Sequence, residues 1–405
     1  MTLSMELHDP SELGISTARL ADATALLERQ YAAGLTPTMV ALVARHGQLV
    51  WSHAVGDARP GGPAVTIDSV FPLASMGKPM TAAVVMALVE RGMIGLSESV
   101  SLTLPELADQ HEEVLVHHLL THTSGWNDDD HVAAREAKLS EAIATIPDGV
   151  DPLTHIMLWP GWGVSRRRGA GEVNQYCNFN YSLLGEIVRR VTGDTLDAAM
   201  RRYLFEPLGM TSSAMTVGDE LRPRLIERPS GIPMGPDHED TALSTNDPLW
   251  ESSDDGASGV FASAPDLARF LQLFLDEGMA GDRRVLSRDS VRVMTTNQIP
   301  GLAVELGGLS KAEASWGFGF GVTGYEAWPK FGGGLSSPRS IRHGGAGGMD
   351  GWADPDTGVV GVAFEVITEA TPEGLPRSWA THRFQDIVNA SVLHATVPPR
   401  RPEAT

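Results

Sequence analysis

The sequence predicts a mixed α/β (α+β) fold in which an antiparallel sheet, assembled from both ends of the chain and flanked by helices, receives an inserted, mainly helical region. Segments rich in β-branched and aliphatic residues occur near the amino terminus and again in the last quarter of the chain, which is typical of strands. Between them lie short helical patterns interrupted by Pro and Gly. Two groups of strands separated by helices predict one sheet built from distant parts of the chain.

The domain organisation follows from this pattern. We expect a discontinuous sheet domain at residues 1–70 and 300–395, a mainly helical domain at 71–299, and a flexible tail at 396–405. With 405 residues, of which 42% are hydrophobic, the chain can bury one large core or two closely joined lobes.

The first predicted elements are a helix and a hairpin. Ser16 to Ala33 carries aliphatic residues at helical spacing behind a Ser/Thr start, which predicts an amphipathic helix. Thr38 to Ala44 and Gln48 to Val55 are rich in β-branched and aliphatic residues. The Arg-His-Gly sequence between them predicts a tight turn, so these strands should form an antiparallel hairpin.

The segment from Phe71 to Gly92 predicts a buried helix, because it is almost wholly apolar after Ala82 and ends at a glycine. Pro79 is tolerated only in a first helical turn. The helix should therefore begin near Ser75.

The rest of the chain predicts further helices and, near the carboxyl end, further strands. The helices are expected at Val114 to Leu120, Tyr181 to Thr192, Thr195 to Leu204, Pro265 to Leu275 and Arg377 to Leu393. The strands are expected at Trp316 to Val322, Ser340 to Gly344 and Gly358 to Ile367.

Charge and cysteine content exclude several classes of function. The formal net charge of −20 argues against a nucleic acid or an anionic membrane surface as partner. A single cysteine, Cys177, excludes an internal disulfide framework. No secretory signal is visible, and no apolar run approaches the roughly 18 residues of a spanning helix. We therefore expect a cytoplasmic protein.

Ser75 and Lys78 form the first candidate for chemistry. Only four of the 31 basic residues are lysines, so Lys78 suits a role that arginine cannot fill, the loss of its proton on burial. At an i, i+3 spacing the amine can reach the Ser75 hydroxyl, and a helix N-terminus stabilises a developing anion. A serine nucleophile needs these conditions. The alternative is that Ser75 only caps the helix and Lys78 extends to the surface.

Tyr176-Cys177-Asn178 is the second candidate, in a polar run immediately before a helix. A tyrosine beside a protonated lysine would have a lowered pKa and could act as a general base, while the Asn178 amide could hold a substrate carbonyl or the lysine amine. The alternative is a simple turn in which Asn180 caps the next helix.

A glycine-rich strand end, Arg342 to Gly348, is the third candidate. Glycines there would let a substrate lie against the strand edge while backbone N–H groups point into the site and stabilise an oxyanion. A phosphate-binding loop is the competing interpretation, but the G-x-G-x-x-G pattern is not satisfied.

Ser-x-x-Lys, Tyr-x-Asn and a His-Gly-Gly strand, in this order, resemble the serine β-lactamase and penicillin-binding-protein family, including its carboxylesterase, DD-peptidase and acyltransferase branches. The resemblance extends from the first helix to about Leu393. It also includes the runs Leu119 to Gly125, Asn180 to Gly185 and Trp316 to Gly319. It implies a β-lactamase/DD-peptidase-like fold.

The resemblance also implies catalytic roles. Ser75 would be the acyl-accepting nucleophile and Lys78 its proton partner. Tyr176 would be the general base and later the acid for the leaving group, and Asn178 would contact the substrate.

For the substrate-binding strand, the resemblance aligns His343-Gly344-Gly345 with the lysine-threonine-glycine strand of the lactamases. The backbone N–H groups of Ser75 and Ala346 would then form the oxyanion hole. Histidine in place of lysine weakens the cationic grip on a substrate carboxylate, which the esterase and acyltransferase branches tolerate better.

The spacer before Tyr176 is longer than expected for the family and carries Trp162 and Arg166-Arg167-Arg168. These arginines could clamp an acidic substrate or acyl carrier, or could belong to a solvated basic loop.

Other patterns are weaker. His118 and His122 have the i, i+4 spacing of zinc ligands but lack the intervening Glu of H-E-x-x-H. The chain contains no G-x-S-x-G sequence, which disfavours an α/β-hydrolase. Cys177 suits a small packing residue. The possible pocket walls are Trp126, Trp162, Trp316 and Trp352.

These observations predict a serine hydrolase that works through an acyl-enzyme, with a carboxylesterase on small or medium acyl esters as the favoured activity. The alternatives are an acyltransferase or peptide-cyclising thioesterase, a β-lactamase or DD-peptidase, and a penicillin-binding module that acylates without turnover. The expected partner is a small-molecule ester, amide or thioester, with no cofactor, metal, nucleic acid or membrane. The sequence leaves the oligomeric state open.

Overall fold

The structure is a computed structural model that describes residues 3–108, 113–148, 152–227, 251, 253–306, 309–311, 313–324, 332–367 and 380–393. Among these residues, no helix combines the length and apolar character needed to cross a bilayer.

A seven-stranded sheet with the order β1-β3-β2-β14-β13-β12-β11 dominates the architecture. Every neighbouring pair is antiparallel except β1 and β3, which are parallel. The strands are β1 (Ser4–Leu7), β2 (Thr38–Arg45), β3 (Gln48–Gly56), β4 (Val70–Pro72), β5 (Asn174–Gln175), β6 (Phe261–Ser263), β7 (Met279–Ala280), β8 (Arg283–Arg284), β9 (Val304–Leu306), β10 (Leu309–Lys311), β11 (Gly321–Val322), β12 (Ile341–Gly345), β13 (Met349–Asp354) and β14 (Val359–Glu365). The sheet therefore joins both ends of the chain, as the sequence predicts. The exact domain boundaries stay a prediction.

The helices lie on both faces of the sheet and in the region between its two groups of strands. They are α1 (Thr17–Ala32), α2 (Lys78–Val89), α3 (Val116–Leu120), α4 (Asp128–Ala144), α5 (Pro152–Leu158), α6 (Asn178–Thr192), α7 (Leu196–Met200), α8 (Glu206–Leu208), α9 (Ala264–Leu275), α10 (Arg288–Met294) and α11 (Ala380–Ser391). A π-helical segment, Arg201–Phe205, joins α7 to α8.

The hairpin of β2 and β3 matches its sequence prediction. His46 and Gly47 adopt successive positive φ angles of 50° and 75°, the geometry of the two-residue turn that suits the twist of paired strands. Strand β2 is buried along its whole length because it lies between β3 and β14, with helices over both faces.

The carboxyl-terminal strands differ in part from the prediction. Met349–Asp354 is a full strand between β12 and β14 that the sequence analysis missed, because its two aspartates and its glycine disfavour a strand. The predicted strand from Trp316 to Val322 is reduced to Gly321–Val322, and Trp316 forms an isolated bridge to Gly321. Gly319 makes a sharp turn with a φ of 86°.

Two apolar layers cover the sheet. One contains α1 and α11, where Phe384 packs against Trp352 of β13. The other contains α9 and the buried helix α2. Gly351 allows α9 to approach closely, since a Cβ at this position would lie 3.0 Å from a methyl group of Leu271. The buried layer between the sheet and α2 supports the predicted nucleophile.

Several predicted helix boundaries shift. Helix α2 begins at Lys78, after a 3₁₀ turn at Ala74–Gly77, and α6 begins at Asn178 instead of Tyr181. The final helix is described from Ala380, and the predicted tail at 396–405 lies outside the described residues.

Candidate active site

Ser75 lies in the 3₁₀ turn Ala74–Gly77, between strand β4 and helix α2. Ala74, immediately before it, has a φ of 47°, a left-handed conformation that is uncommon for a residue with a Cβ. Strain of this kind persists only where the surrounding structure holds it, and it concentrates at functional sites. Leu73, Ala74 and Met76 are buried, so the turn is held by its neighbours while Ser75 itself stays partly exposed.

Lys78 is fully buried and reaches back to Ser75, as the i, i+3 spacing predicts. Its Nζ lies 2.8 Å from Ser75 Oγ, 2.6 Å from Asn178 Oδ1 and 2.9 Å from the Ala257 carbonyl oxygen. Burial lowers the pKa of Lys78 to about 8, against the opposing effects of Asp128, Asp255 and Cys177. A neutral amine beside the Ser75 hydroxyl is therefore accessible near neutral pH.

Tyr176 enters the site from the short segment between β5 and α6. Its ring centroid lies 5.0 Å from Lys78 Nζ and 4.3 Å from the centroid of the His122 ring. Burial raises the pKa of Tyr176 well above its usual value, and a hydrogen-bonding interaction with the Ser75 side chain opposes this rise only in part. The expectation that a lysine would lower this pKa is therefore wrong, since desolvation outweighs any favourable charge. The phenol is a proton donor in the free protein.

Asn178 forms hydrogen bonds with both Lys78 and Asp128. The sequence analysis did not identify Asp128. Asp128 is the first residue of α4, and its carboxylate accepts the backbone N–H of Asn178 at 2.6 Å and the side-chain Nδ2–H at 2.7 Å. The sequence around Asp128 shows only acidic residues in a first helical turn, which the helix dipole explains. No local pattern distinguishes Asp128 from Asp129 and Asp130.

His343 lies on β12 with its ring centroid 6.1 Å from that of Tyr176 and 5.7 Å from that of Trp316. Its Nδ1–H donates to the Gly344 carbonyl oxygen at 2.6 Å, while its buried Nε2 has no partner among the described residues. Burial, with smaller contributions from Lys78 and Arg342, lowers the pKa of His343 to about 3. The imidazole is thus neutral, with Nε2 as a hydrogen-bond acceptor.

The predicted oxyanion strand lies against the turn that carries Ser75. A Cβ at Gly345 would lie 2.2 Å from the Leu73 carbonyl oxygen and 3.2 Å from the Met76 backbone nitrogen, so only glycine permits this approach. Gly344 is the preceding residue of the strand, and Ala346 follows in a turn. The assignment of the Ala346 N–H as an oxyanion donor stays a prediction.

His122 is a second buried histidine of the site. Its Nδ1 accepts the Cys177 N–H at 3.2 Å, and its ring centroid lies 5.4 Å from that of Trp316. Burial lowers its pKa well below the usual value, so His122 is neutral. His118 has a separate contact, since its Nδ1 accepts the Leu115 N–H at 3.1 Å.

The four predicted pocket tryptophans occupy different places. Trp316 lies beside Tyr176 and His343. Trp126 is buried and packs edge-on against Phe179, and Trp162 packs against Trp159. The prediction for Trp352 is wrong, because its side chain lies in the apolar layer of α1 and α11, on the face of the sheet opposite to His343.

The arginines of the spacer are all paired with carboxylates of the chain itself. Arg166 contacts Glu113, Arg167 binds Asp130 with two hydrogen bonds of 2.6 Å, and Arg168 lies 3.1 Å from Glu305. These pairs favour a structural role for the loop, and a clamp for an acidic substrate would have to compete with them.

Comparison with known proteins identifies the relatives of this arrangement. The family model described as Beta-lactamase matches residues 23–382. Penicillin-binding protein 4 of Amycolatopsis lactamdurans is 30% identical over 82% of this chain and 79% of its own length. Esterase EstB of Burkholderia gladioli is 28% identical over 91% of this chain and 95% of its own length. The solved structure of EstCE1, described as a hydrolase with promiscuous acyltransferase activity, shares the fold with a TM-score of 0.69 and 19% identity, over 93% of this chain and 99% of the other.

Proposed function

Because the chain belongs to the Beta-lactamase family and is a serine hydrolase with an acyl-enzyme mechanism, we propose that it is a carboxylesterase that cleaves small or medium acyl esters at Ser75. One relative, which spans 91% of the chain, is named an esterase, and another, which spans 82%, is named a penicillin-binding protein. The choice between these activities depends on whether the site must bind a carboxylate group of the substrate.

The neutral imidazole of His343 favours the esterase activity. His343 occupies the strand position at which the lactamase resemblance expects a lysine, and its pKa of about 3 leaves it uncharged at neutral pH. The neighbouring cation, Arg342, is paired with Asp350. An uncharged side chain at this position suits an uncharged ester better than a substrate that must be bound through its carboxylate.

The proposed acylation begins when the neutral Lys78 amine accepts the proton of Ser75 Oγ and the oxygen attacks the ester carbonyl carbon. The N–H groups of Ser75 and Ala346 would stabilise the oxyanion. As the carbon–oxygen bond to the leaving group breaks, the phenol of Tyr176 donates its proton to the departing alkoxide. The proton held by Lys78 then restores the phenol, which leaves a neutral amine and an acyl-enzyme.

Deacylation repeats these steps with water as the nucleophile. Water loses a proton to the neutral Lys78 amine as it attacks the acyl carbonyl, the Ser75 oxygen leaves, and this oxygen takes the proton back from the Lys78 ammonium. The net reaction is the hydrolysis of one ester to one acid and one alcohol.

The test is intact-mass detection of an acyl adduct, with peptide mapping to Ser75, after exposure to p-nitrophenyl esters, a cephalosporin and a D-Ala-D-Ala peptide. We expect adduct formation and steady turnover with the esters, and no adduct in Ser75→Ala. Faster turnover of the cephalosporin or the peptide would contradict the esterase assignment. An adduct that persists in Ser75→Ala would contradict the nucleophile. A single equivalent of adduct without turnover would instead indicate a binding module.

An acyltransferase is the second candidate. The rings of Trp316 and Tyr176 border the site and offer apolar surface on which an alcohol could compete with water for the acyl-enzyme. Added alcohol or amine should then divert part of the acyl group to a new ester or amide, and the ratio of this product to free acid measures the partition.

A further inference from the structure

Within the described residues, the Lys78 ammonium donates its hydrogen bonds to uncharged acceptors. These are Ser75 Oγ, Asn178 Oδ1 and the Ala257 carbonyl oxygen, at 2.6 to 2.9 Å. Among the residues that the structure describes, no carboxylate forms a salt bridge with Lys78. A buried charge needs either a partner or well-oriented dipoles. The orientation of the Asn178 amide and of the Ala257 carbonyl group is therefore critical.

Asp128 orients the side-chain amide of Asn178. Its two carboxylate oxygens accept the backbone N–H and the side-chain Nδ2–H of Asn178. A carboxylate can accept but not donate, so it fixes which end of the amide carries the NH₂ group. The opposite end, Oδ1, must then point towards Lys78. Without Asp128 the amide could rotate and present donors to the ammonium.

Asp255 orients the Ala257 carbonyl group through the backbone. Its Oδ1 accepts the Ala257 N–H at 3.2 Å and the Ser182 hydroxyl at 2.6 Å, and its Oδ2 accepts the Ser258 hydroxyl at 2.9 Å. The Ser258 N–H donates to the Asp255 carbonyl oxygen at 3.3 Å. This N–H belongs to the same peptide unit as the Ala257 carbonyl, which is thereby turned towards Lys78.

We infer that Asp128 and Asp255 are paired positioning residues for the proposed reaction, each of which holds one neutral acceptor of Lys78 in place. The inference rests on the proposed function, because it concerns the proton partner of Ser75. Neither carboxylate touches the reacting atoms.

Asp128 and Asp255 are the charged groups that act on Lys78 within the described part of the chain. The other titratable groups that face it are His122, His343, Tyr176, Tyr181 and Cys177. Burial lowers the pKa of both histidines and raises the pKa of both tyrosines and of the cysteine. All five are therefore neutral near pH 7.

Asp128 and Asp255 both raise the pKa of Lys78, which burial lowers. Replacement of either carboxylate by a neutral amide should therefore lower that pKa further. Because the neutral amine activates Ser75, the rising acid limb of the pH profile should move to lower pH, by roughly one unit.

The experiment measures the rate at which a fluorophosphonate labels Ser75 as a function of pH, together with kcat and KM for p-nitrophenyl acetate. The variants are Asp128→Asn and Asp255→Asn. Asp254→Asn is the matched control, since Asp254 lies in the same loop but accepts the N–H groups of Leu196 and Asp197. We expect the acid limb to lie near pH 8 in the wild type, to move down in both test variants, and to stay in place in the control.

A further variant separates charge from position. Asp128→Glu keeps the charge but moves the carboxylate, so the acid limb should stay in place while the plateau kcat falls about tenfold with little change in KM. This variant also serves if Asp128→Asn does not fold.

The outcomes distinguish the two proposals. A wild type that the fluorophosphonate does not label would contradict the proposed function. A labelled wild type whose acid limb is unchanged in both Asn variants, or equally shifted in Asp254→Asn, would overturn the positioning role and leave the proposed function intact.

Discussion

Two adjacent residues of β12 show how the faces of the sheet differ. Arg342 and His343 are both buried, at 8% and 3% relative exposure, and successive side chains of a strand point to opposite faces. Arg342 forms an ion pair with Asp350 of β13, which lies on the face covered by α11. His343 faces Tyr176, and its Nε2 has no partner within the described part of the chain.

The two side chains differ in how they satisfy their hydrogen-bonding groups within the described residues. Buried polar groups are almost always hydrogen-bonded, and an exception needs an explanation. Arg342 follows the rule and contributes to the fold. His343 and His122 depart from it near Ser75, because within the described residues the Nε2 of each has no partner; a water or alcohol that enters the site can donate to such a nitrogen. Substitutions on the two faces should therefore separate effects on activity from effects on stability.

The largest effect is expected at Lys78. Lys78→Arg keeps the positive charge, but a guanidinium does not release its proton at accessible pH, so kcat on p-nitrophenyl esters should fall by about 10³-fold. Lys138→Arg is the matched control, because Lys138 donates to the Trp162 carbonyl oxygen at 3.2 Å, a bond that a guanidinium can also make. Retention of more than a few per cent of the wild-type kcat by Lys78→Arg would contradict a proton-transfer role.

The next effect is expected on the opposite face. Arg342→Leu leaves the Asp350 carboxylate buried without its partner, beside Glu365, whose pKa burial raises to about 8. Loss of one member of a buried ion pair costs about 3–5 kcal/mol in the free energy of unfolding, which urea denaturation measures. The ester kcat of the folded variant should stay within a few-fold of the wild type.

The double variant Arg342→Leu/Asp350→Leu sharpens this prediction. It removes both charges, so most of the stability should return. The prediction would be contradicted if the free energy of unfolding of the single variant fell by less than about 1 kcal/mol. It would also be contradicted if the double variant were less stable than the single one, because the Arg342–Asp350 pair would then not act as a stabilising buried ion pair.

The sequence was sufficient for features that are local or recurrent. The i, i+3 spacing of Ser75 and Lys78 fixes their proximity wherever a helical turn forms. The Ser16 cap, at which Ser16 Oγ accepts the Arg19 N–H, and the hairpin turn at His46 likewise depend only on neighbouring residues. The family resemblance then supplied the fold, which the comparisons confirm.

Features set by tertiary packing could not be predicted in this way. Asp128 and Asp255 act on Lys78 from segments 50 and more residues away in sequence, and their neighbours in sequence are also acidic. The direction of the Tyr176 pKa depends on burial, which no local pattern reveals. Trp352 was misplaced because β13 was not recognised, and without its register neither face of the strand could be assigned.

The smallest effect is expected for a change of substrate preference at His343. His343→Lys places a cation where the neutral imidazole now stands, and hydrogen bonds to charged groups contribute more than neutral ones. The ratio of kcat/KM for an ester that bears a carboxylate to kcat/KM for a neutral ester of equal size should rise about tenfold. His343→Gln, which stays neutral and can still accept a hydrogen bond, is the control and should leave the ratio unchanged. If the ratio is unchanged in His343→Lys, the side chain at this position does not contact the substrate. An esterase site would then not explain why Nε2 of His343 has no partner among the described residues.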